Sequence, residues 1–158
     1  LEGRHAALRT IRRHRIIEAY LVAFLGYGWE TVHEEAERLE HAVSDMLIER
    51  MAEALGNPRF DPHGDPIPDP DGSVSELVYT PLTEIPAGES VEIRQADTSQ
   101  PDRLRYIASF GLKPGTRVTV VDRQPFRGPI TVQVGGQSHI LGHEIAMLLL
   151  CARPQIAS

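Results

Sequence analysis

Cysteine is almost absent from this chain: its 158 residues include only Cys151, so no internal disulfide can form. That excludes a small disulfide-framed secreted domain and matches a reducing compartment, so a cytoplasmic protein is expected. Long apolar runs are also missing, and no basic stretch leads into an apolar core, so neither a membrane span nor a secretory signal is expected. A basic excess is lacking as well. Lys and Arg number 16 against 22 Asp and Glu, a formal net charge of -6. A surface that grips nucleic acid needs the opposite balance, so these residues alone are not a DNA-binding element. No Gly-x-Ser-x-Gly elbow, phosphate loop or dinucleotide fingerprint occurs.

What is present is histidine and carboxylate at helical spacing. His14 and Glu18 stand four apart, one above the other on a helix. His33, Glu37, Glu40 and His41 follow at i, i+4, i+7 and i+8, which draws one stripe along a second helix. Such nitrogen and oxygen donors suit a divalent first-row metal. The solvated reading of an acidic helix face weakens because two histidines share the stripe, and because 31–38 is acidic enough to call for a cation. His33-Glu34 opens like the zinc-protease motif, but the closing position is Glu37 rather than His, so that hydrolytic chemistry is not expected.

The two halves differ in period. Ile11, Ile16, Ile17, Tyr20, Leu21, Phe24 and Leu25 predict a first helix ending at Gly26 and Gly28. Thr31 with Glu34 reads as a capping box opening a second helix that runs unbroken to Leu55 and stops at Gly56-Asn57-Pro58. Five prolines between 58 and 70 make residues 57–72 a loop, in which His63 is read as shaping the turn. From there the pattern alternates: strands are expected at 90–94, 117–121, 130–134 and 138–141, the last two joined at Gly135-Gly136, with a short helix at 102–110. The expected fold class is α+β. A helical metal-binding and dimerisation domain spans 1–72, a linker 73–84 and a small SH3-like β-barrel 85–158. Two helices this apolar cannot form a good core alone and are expected to pack against a partner copy or a further domain, with a homodimer expected. Trp29 is read as core or dimer surface, Arg12, Arg13 and Arg15 as a solvated face, and His139 and His143 as structural or exposed.

The run LEGRHAALRTIRRHRIIEAYL, then VHEEAERLEHAVSD, then HGDPIP at 63–68 resembles the dimerisation domain of the diphtheria-toxin-repressor (DtxR) family, metal-activated bacterial transcription regulators. Leu112-Lys113-Pro114-Gly115 leading into Val118-Thr119-Val120 is similar to that family's SH3-like (FeoA-like) domain. The resemblance implies an ancillary metal site at His14, Glu18 and His33 and a primary site at Glu37, Glu40 and His41. Iron-responsive members carry a cysteine where this chain has Glu37, whereas manganese-responsive members carry a glutamate. Mn2+ is therefore the first expectation and Fe2+ the second, since a thiolate favours softer metals. The family's SH3-like domain lends a Glu and a Gln three residues apart to the ancillary site. Gln100 and Arg103 stand at the matching positions here, and because arginine cannot ligate, Asp102 is the neighbour able to take that place. The resemblance also implies an N-terminal winged helix-turn-helix that reads operator DNA, supplies primary-site ligands and is missing from these residues. No catalysis is implied. The alternatives are a metalloenzyme with Glu34 or Glu35 as general base, which needs a substrate pocket, and a dimeric adaptor whose barrel binds peptides.

Overall fold

The computed structural model describes residues 2–74 and 77–153 and divides into two compact units, Leu1–Leu77 and Val78–Ser158. Unit one is built on α1 (Glu2–Leu25), α2 (Val32–Leu39) and α3 (Asp45–Ala54). Helix α1 ends where expected, at Gly26 with φ 72°, a left-handed backbone that glycine adopts without penalty. Ile16, Ile17 and Leu21 of α1 bury against Val32 and Ala36 of α2, Ile48, Met51 and Ala52 of α3, and Ile67. The helices thus form a core of their own, with α3 and the loop residue Ile67 supplying packing that the sequence pattern assigns to a partner copy or a further domain.

The second expected helix is in fact two. Helix α2 ends at Leu39, and Ser44, in extended backbone, caps α3 by accepting from the Leu47 N–H at 3.1 Å. Arg13 sustains the break. Its guanidinium donates to the carbonyls of Glu40, at 2.8 Å, and Val43, satisfying acceptors that a continued helix would have used. The expected capping box does not form, because Thr31 makes no side-chain cap bond. The three arginines are also not a solvated face. Arg12 pairs with Glu49 at 2.6 Å and donates to the Pro68 carbonyl, Arg13 pairs with Asp45 at 2.6 Å, and Arg15 donates to the Pro66 carbonyl. Two of them therefore fasten the proline-rich loop to α1. Trp29 is core, 5% exposed, with Nε1–H donating to the Pro62 carbonyl at 2.7 Å.

Unit two is a six-stranded antiparallel sheet of SH3-like type in the order β1-β6-β2-β3-β4-β5. Its strands are β1 (Thr80–Pro81), β2 (Ser90–Ala96), β3 (Arg117–Arg123), β4 (Ile130–Val134), β5 (Gln137–Leu141) and β6 (Leu149–Ala152), with helices α4 (Pro101–Ser109) and α5 (His143–Ala146). Bulges after Ile93 and Val120 bend β2 and β3. The expected linker of 73–84 is shorter than drawn: Thr80 and Pro81 pair with β6, and Leu82 in the following 3₁₀ turn is fully buried. Cys151 is buried in β6, and burial pushes its thiol up to about 12, so it is an inert core residue. The His139 ring packs on Phe110, with centroids 5.0 Å apart.

Candidate metal centre

Helices α1 and α2 bring three of the six expected ligands together. The His14 Nε2 atom lies 3.0 Å from His33 Nδ1 and 3.3 Å from Glu18 Oε1, and His33 Nδ1 lies 3.6 Å from Glu18 Oε2. One donor atom from each of the three sits within 4.8 Å of the others. Glu18 is only 2% exposed, although a carboxylate is rarely buried without a cationic or hydrogen-bonding partner.

The other faces of the two imidazoles are tied to carboxylates. His14 Nδ1 is 2.6 Å from Glu40 Oε2, and His33 Nε2 is 3.2 Å from Glu37 Oε1. A carboxylate on one ring nitrogen holds the proton there and leaves the lone pair of the other nitrogen pointing inward. Both inward nitrogens face Glu18. This is the carboxylate–histidine arrangement that orients metal-binding imidazoles, and it passes the test of fit for a divalent cation.

The remaining expected ligands do not close into a second cluster. Helix α2 ends before Glu40, so the stripe of Glu37, Glu40 and His41 is broken: Glu40 turns to His14, its Oε1 is 3.3 Å from His41 Nε2, and His41 is mostly exposed. The six residues form a line of contacts running His41, Glu40, His14, Glu18, His33, Glu37. Gln100 and Asp102 belong to unit two, at the start of α4, where exposed Asp102 pairs with Arg105 at 3.5 Å and Arg103 with Glu144 at 2.9 Å.

Charge in this cluster is set by competition. Burial works against a charged His14, but hydrogen bonds and the negative charges of Glu18 and Glu40 outweigh it, so His14 titrates above its ordinary range. Burial likewise pushes Glu18 up, and His14, a hydrogen bond from Asp61 and the charge of His63 bring it below its ordinary range. Asp61, in the loop after α3, is the residue the sequence reading missed. Burial first, then the charges of Asp65 and Glu18, push its carboxyl up to about 9. At neutral pH it therefore keeps its proton while Glu18 is ionised. His63, read as a turn-former, lies beside it with Nδ1 3.5 Å from Glu18 Oε2. No periodicity links residues 61 and 63 to residue 18. The legible signal was a histidine flanked by Asp61 and Asp65 in the proline-rich loop.

Both halves of the chain are similar to known proteins. A family described as iron dependent repressor, metal binding and dimerisation domain matches residues 1–69, and the FeoA domain family matches residues 80–153. The iron-dependent repressor IdeR of Mycobacterium leprae is 35% identical over 157 residues, covering 92% of this chain and 68% of that protein. The diphtheria toxin repressor of Corynebacterium diphtheriae is 30% identical over 154 residues, covering 91% and 67%. A solved manganese-dependent transcriptional repressor in complex with manganese superposes with a TM-score of 0.90 at 41% identity, covering 97% of this chain and 73% of that one. The crystal structure of T. acidophilum IdeR superposes with a TM-score of 0.86 at 31% identity, covering 97% of this chain and 70% of that one. With both halves matched in order, the chain belongs to the DtxR family of metal-dependent transcriptional regulators.

Proposed function

We propose that unit one is the metal-sensing and dimerisation element of a manganese- or iron-responsive regulator, with Mn2+ the first candidate. The observation that carries this reading is the inward convergence of His14 Nε2, His33 Nδ1 and the Glu18 carboxylate, with Glu40 and Glu37 fixing the two rings from outside. A bound divalent cation supplies the positive charge that a proton on His14 otherwise provides. His14 and Glu18 hold it from α1 and His33 from α2, so occupancy cross-links two helices. Glu37, Glu40 and His41 supply the remaining oxygen and nitrogen donors once they are drawn together, and Gln100 and Asp102 are further donors from the SH3-like unit. No thiolate belongs to the set, which suits Mn2+. Cation binding that favours one arrangement of α1 and α2 shifts the population toward the form that binds operator DNA. The net charge of -6 argues against DNA contact by these residues themselves, and the resemblance implies a winged helix-turn-helix for that role.

The test is Mn2+ titration calorimetry on the chain and on its His14→Ala/His33→Ala variant, with helical content followed by circular dichroism. Loss of binding with the helices intact is the expected result. Undiminished binding in the double variant overturns the assignment.

A further inference from the structure

A cavity of about 330 Å3 lies where α1, α3 and the proline-rich loop meet, and none of its lining residues belongs to the metal centre. Its floor is apolar, since Ile16, Ala52 and Ile67 line it and are themselves buried. Phe60 adds an aromatic wall that stays 38% exposed. The Arg12–Glu49 pair also lines the cavity, but the two are joined at 2.6 Å and together bring no net charge.

Two further charges remain on its wall. Arg59 and Asp69 both line the cavity, yet no ion pair joins them, and the Arg59 guanidinium has no partner among the described residues. Asp69 pairs with no cation among those residues either, and its Oδ2 accepts from the Ser73 hydroxyl at 3.0 Å. Both side chains grow from tied backbone. The Ile67 N–H donates to the Arg59 carbonyl at 2.8 Å, and the Asp69 N–H donates to the Ser73 carbonyl at 2.7 Å. A bridge between Phe60 and Pro66 closes the hairpin that carries Arg59. Anchoring of this kind cuts the ordering cost that a ligand would otherwise bear.

A separate cation and anion beside one apolar floor complement a ligand that carries both charges and an apolar body. A lone anion gains from Arg59 but is repelled by Asp69, and a lone cation meets the reverse. The volume sits at the lower end of the ~300–1,000 Å3 usual for small-molecule sites, which sets the ligand at amino-acid size.

We propose that this cavity binds a small zwitterion with an apolar side chain, an amino acid of about leucine's size. Arg59 receives the carboxylate, in the planar two-bond manner that suits a guanidinium, and Asp69 receives the ammonium group. The side chain lies on Ile16, Ala52 and Ile67. This site goes beyond the metal-sensing role and uses none of its residues, so either can fail without the other.

The test is calorimetric titration of the chain with leucine, and with three analogues that each remove one feature. Isocaproate lacks the ammonium group, leucinamide lacks the carboxylate, and glycine lacks the apolar side chain. Leucine should bind with a Kd below about 1 mM, and each analogue should bind about tenfold or more weakly than leucine. Arg59→Gln and Asp69→Asn should each weaken leucine by about tenfold while Mn2+ binding stays unchanged, with folding checked by circular dichroism. Amide shifts in NMR spectra should then map the bound leucine to Ile16, Ala52 and Ile67. No saturable leucine binding overturns the proposal, and so does isocaproate or leucinamide binding as tightly as leucine. Leucine affinity unchanged in both variants overturns it as well.

Discussion

His14 Nδ1 sits 2.6 Å from Glu40 Oε2, across the gap between the middle of α1 and the residue that follows α2. Through this contact Glu40 selects the tautomer that presents Nε2 to Glu18 and His33. Partners of this kind contribute about 10- to 100-fold to metal affinity. Glu40→Ala should weaken Mn2+ binding to that extent while His14 and His33 remain in place. Glu37→Ala should weaken it less, because Glu37 is 60% exposed against 14% for Glu40 and water can replace its carboxylate. Competition against a fluorescent chelator measures both, and equal losses would contradict the ranking.

The raised titration of His14 fixes the direction of the pH dependence. A group raised in the folded state stabilises the fold fully below its ordinary value, here 6.5, and that stability is lost as pH rises through the raised value. Asp61, up from 3.8 to about 9, acts with the same sign over its own wider range. A cation must displace the His14 proton, so affinity should climb up to about tenfold per pH unit below the raised value and level off above it. The metal-free melting temperature should therefore fall between about pH 6 and about pH 8 while Mn2+ affinity rises. Affinity that is flat across that window would show that His14 is not a ligand.

Much of this architecture was legible from spacing alone. The i, i+4 pairs His14–Glu18 and His33–Glu37 meet at 3.3 and 3.2 Å because each lies within one helix, where periodicity is a sound guide. The i+7 and i+8 positions were misplaced because Leu39, Val43 and Leu47 keep helical phase across a real break. The Ser44 cap and the Arg13 clamp decide that break, and a clamp from 30 residues away leaves no local trace. Asp61 and His63 reach Glu18 through a loop whose path no period encodes. Strand β6 was missed because Leu149–Ala152 is short and apolar throughout, so its sequence shows no alternation although its burial does.

Arg12 offers a stability test. Its side chain is 11% exposed and joins Glu49 to the Pro68 carbonyl. Arg12→Ala strands that carbonyl and should cost about 2 kcal/mol in urea denaturation. Arg50→Ala, which removes an exposed pair with Glu53, should cost no more than about 0.5 kcal/mol. Similar losses in both variants would show that the loop is not held by Arg12.

Association is expected to use apolar side chains that the monomer leaves in water. Phe24 and Leu25 at the end of α1 and Met46 and Leu47 at the start of α3 are all exposed despite a core of their own to join. Light scattering should give twice the chain mass at micromolar concentration. Charged replacements, Phe24→Glu or Leu47→Glu, should return at least one of the two patches to a monomer. A monomeric wild-type chain would count against dimerisation through this unit.

Selectivity is the property that one side chain is best placed to change. Glu37 extends from α2 beside His33, at the exposed end of the line of donors, where replacement disturbs no core. As a carboxylate it keeps the donor set to oxygen and nitrogen, which removes the soft ligand that favours the competitors of Mn2+. Affinity itself will still follow the Irving–Williams order, so Zn2+ should bind more tightly than Mn2+ to the native set. The informative quantity is therefore the ratio between metals before and after substitution. Glu37→Cys should move relative preference from Mn2+ toward Co2+ or Fe2+ by about tenfold or more, roughly 1.4 kcal/mol. Competitive titration of the two metals reads this directly, and thiolate-to-cobalt absorption reports whether the new sulfur ligates. An unchanged ratio with no such absorption would place selectivity elsewhere, in Glu40 and the other groups around His14 and Glu18 rather than in the residue at position 37.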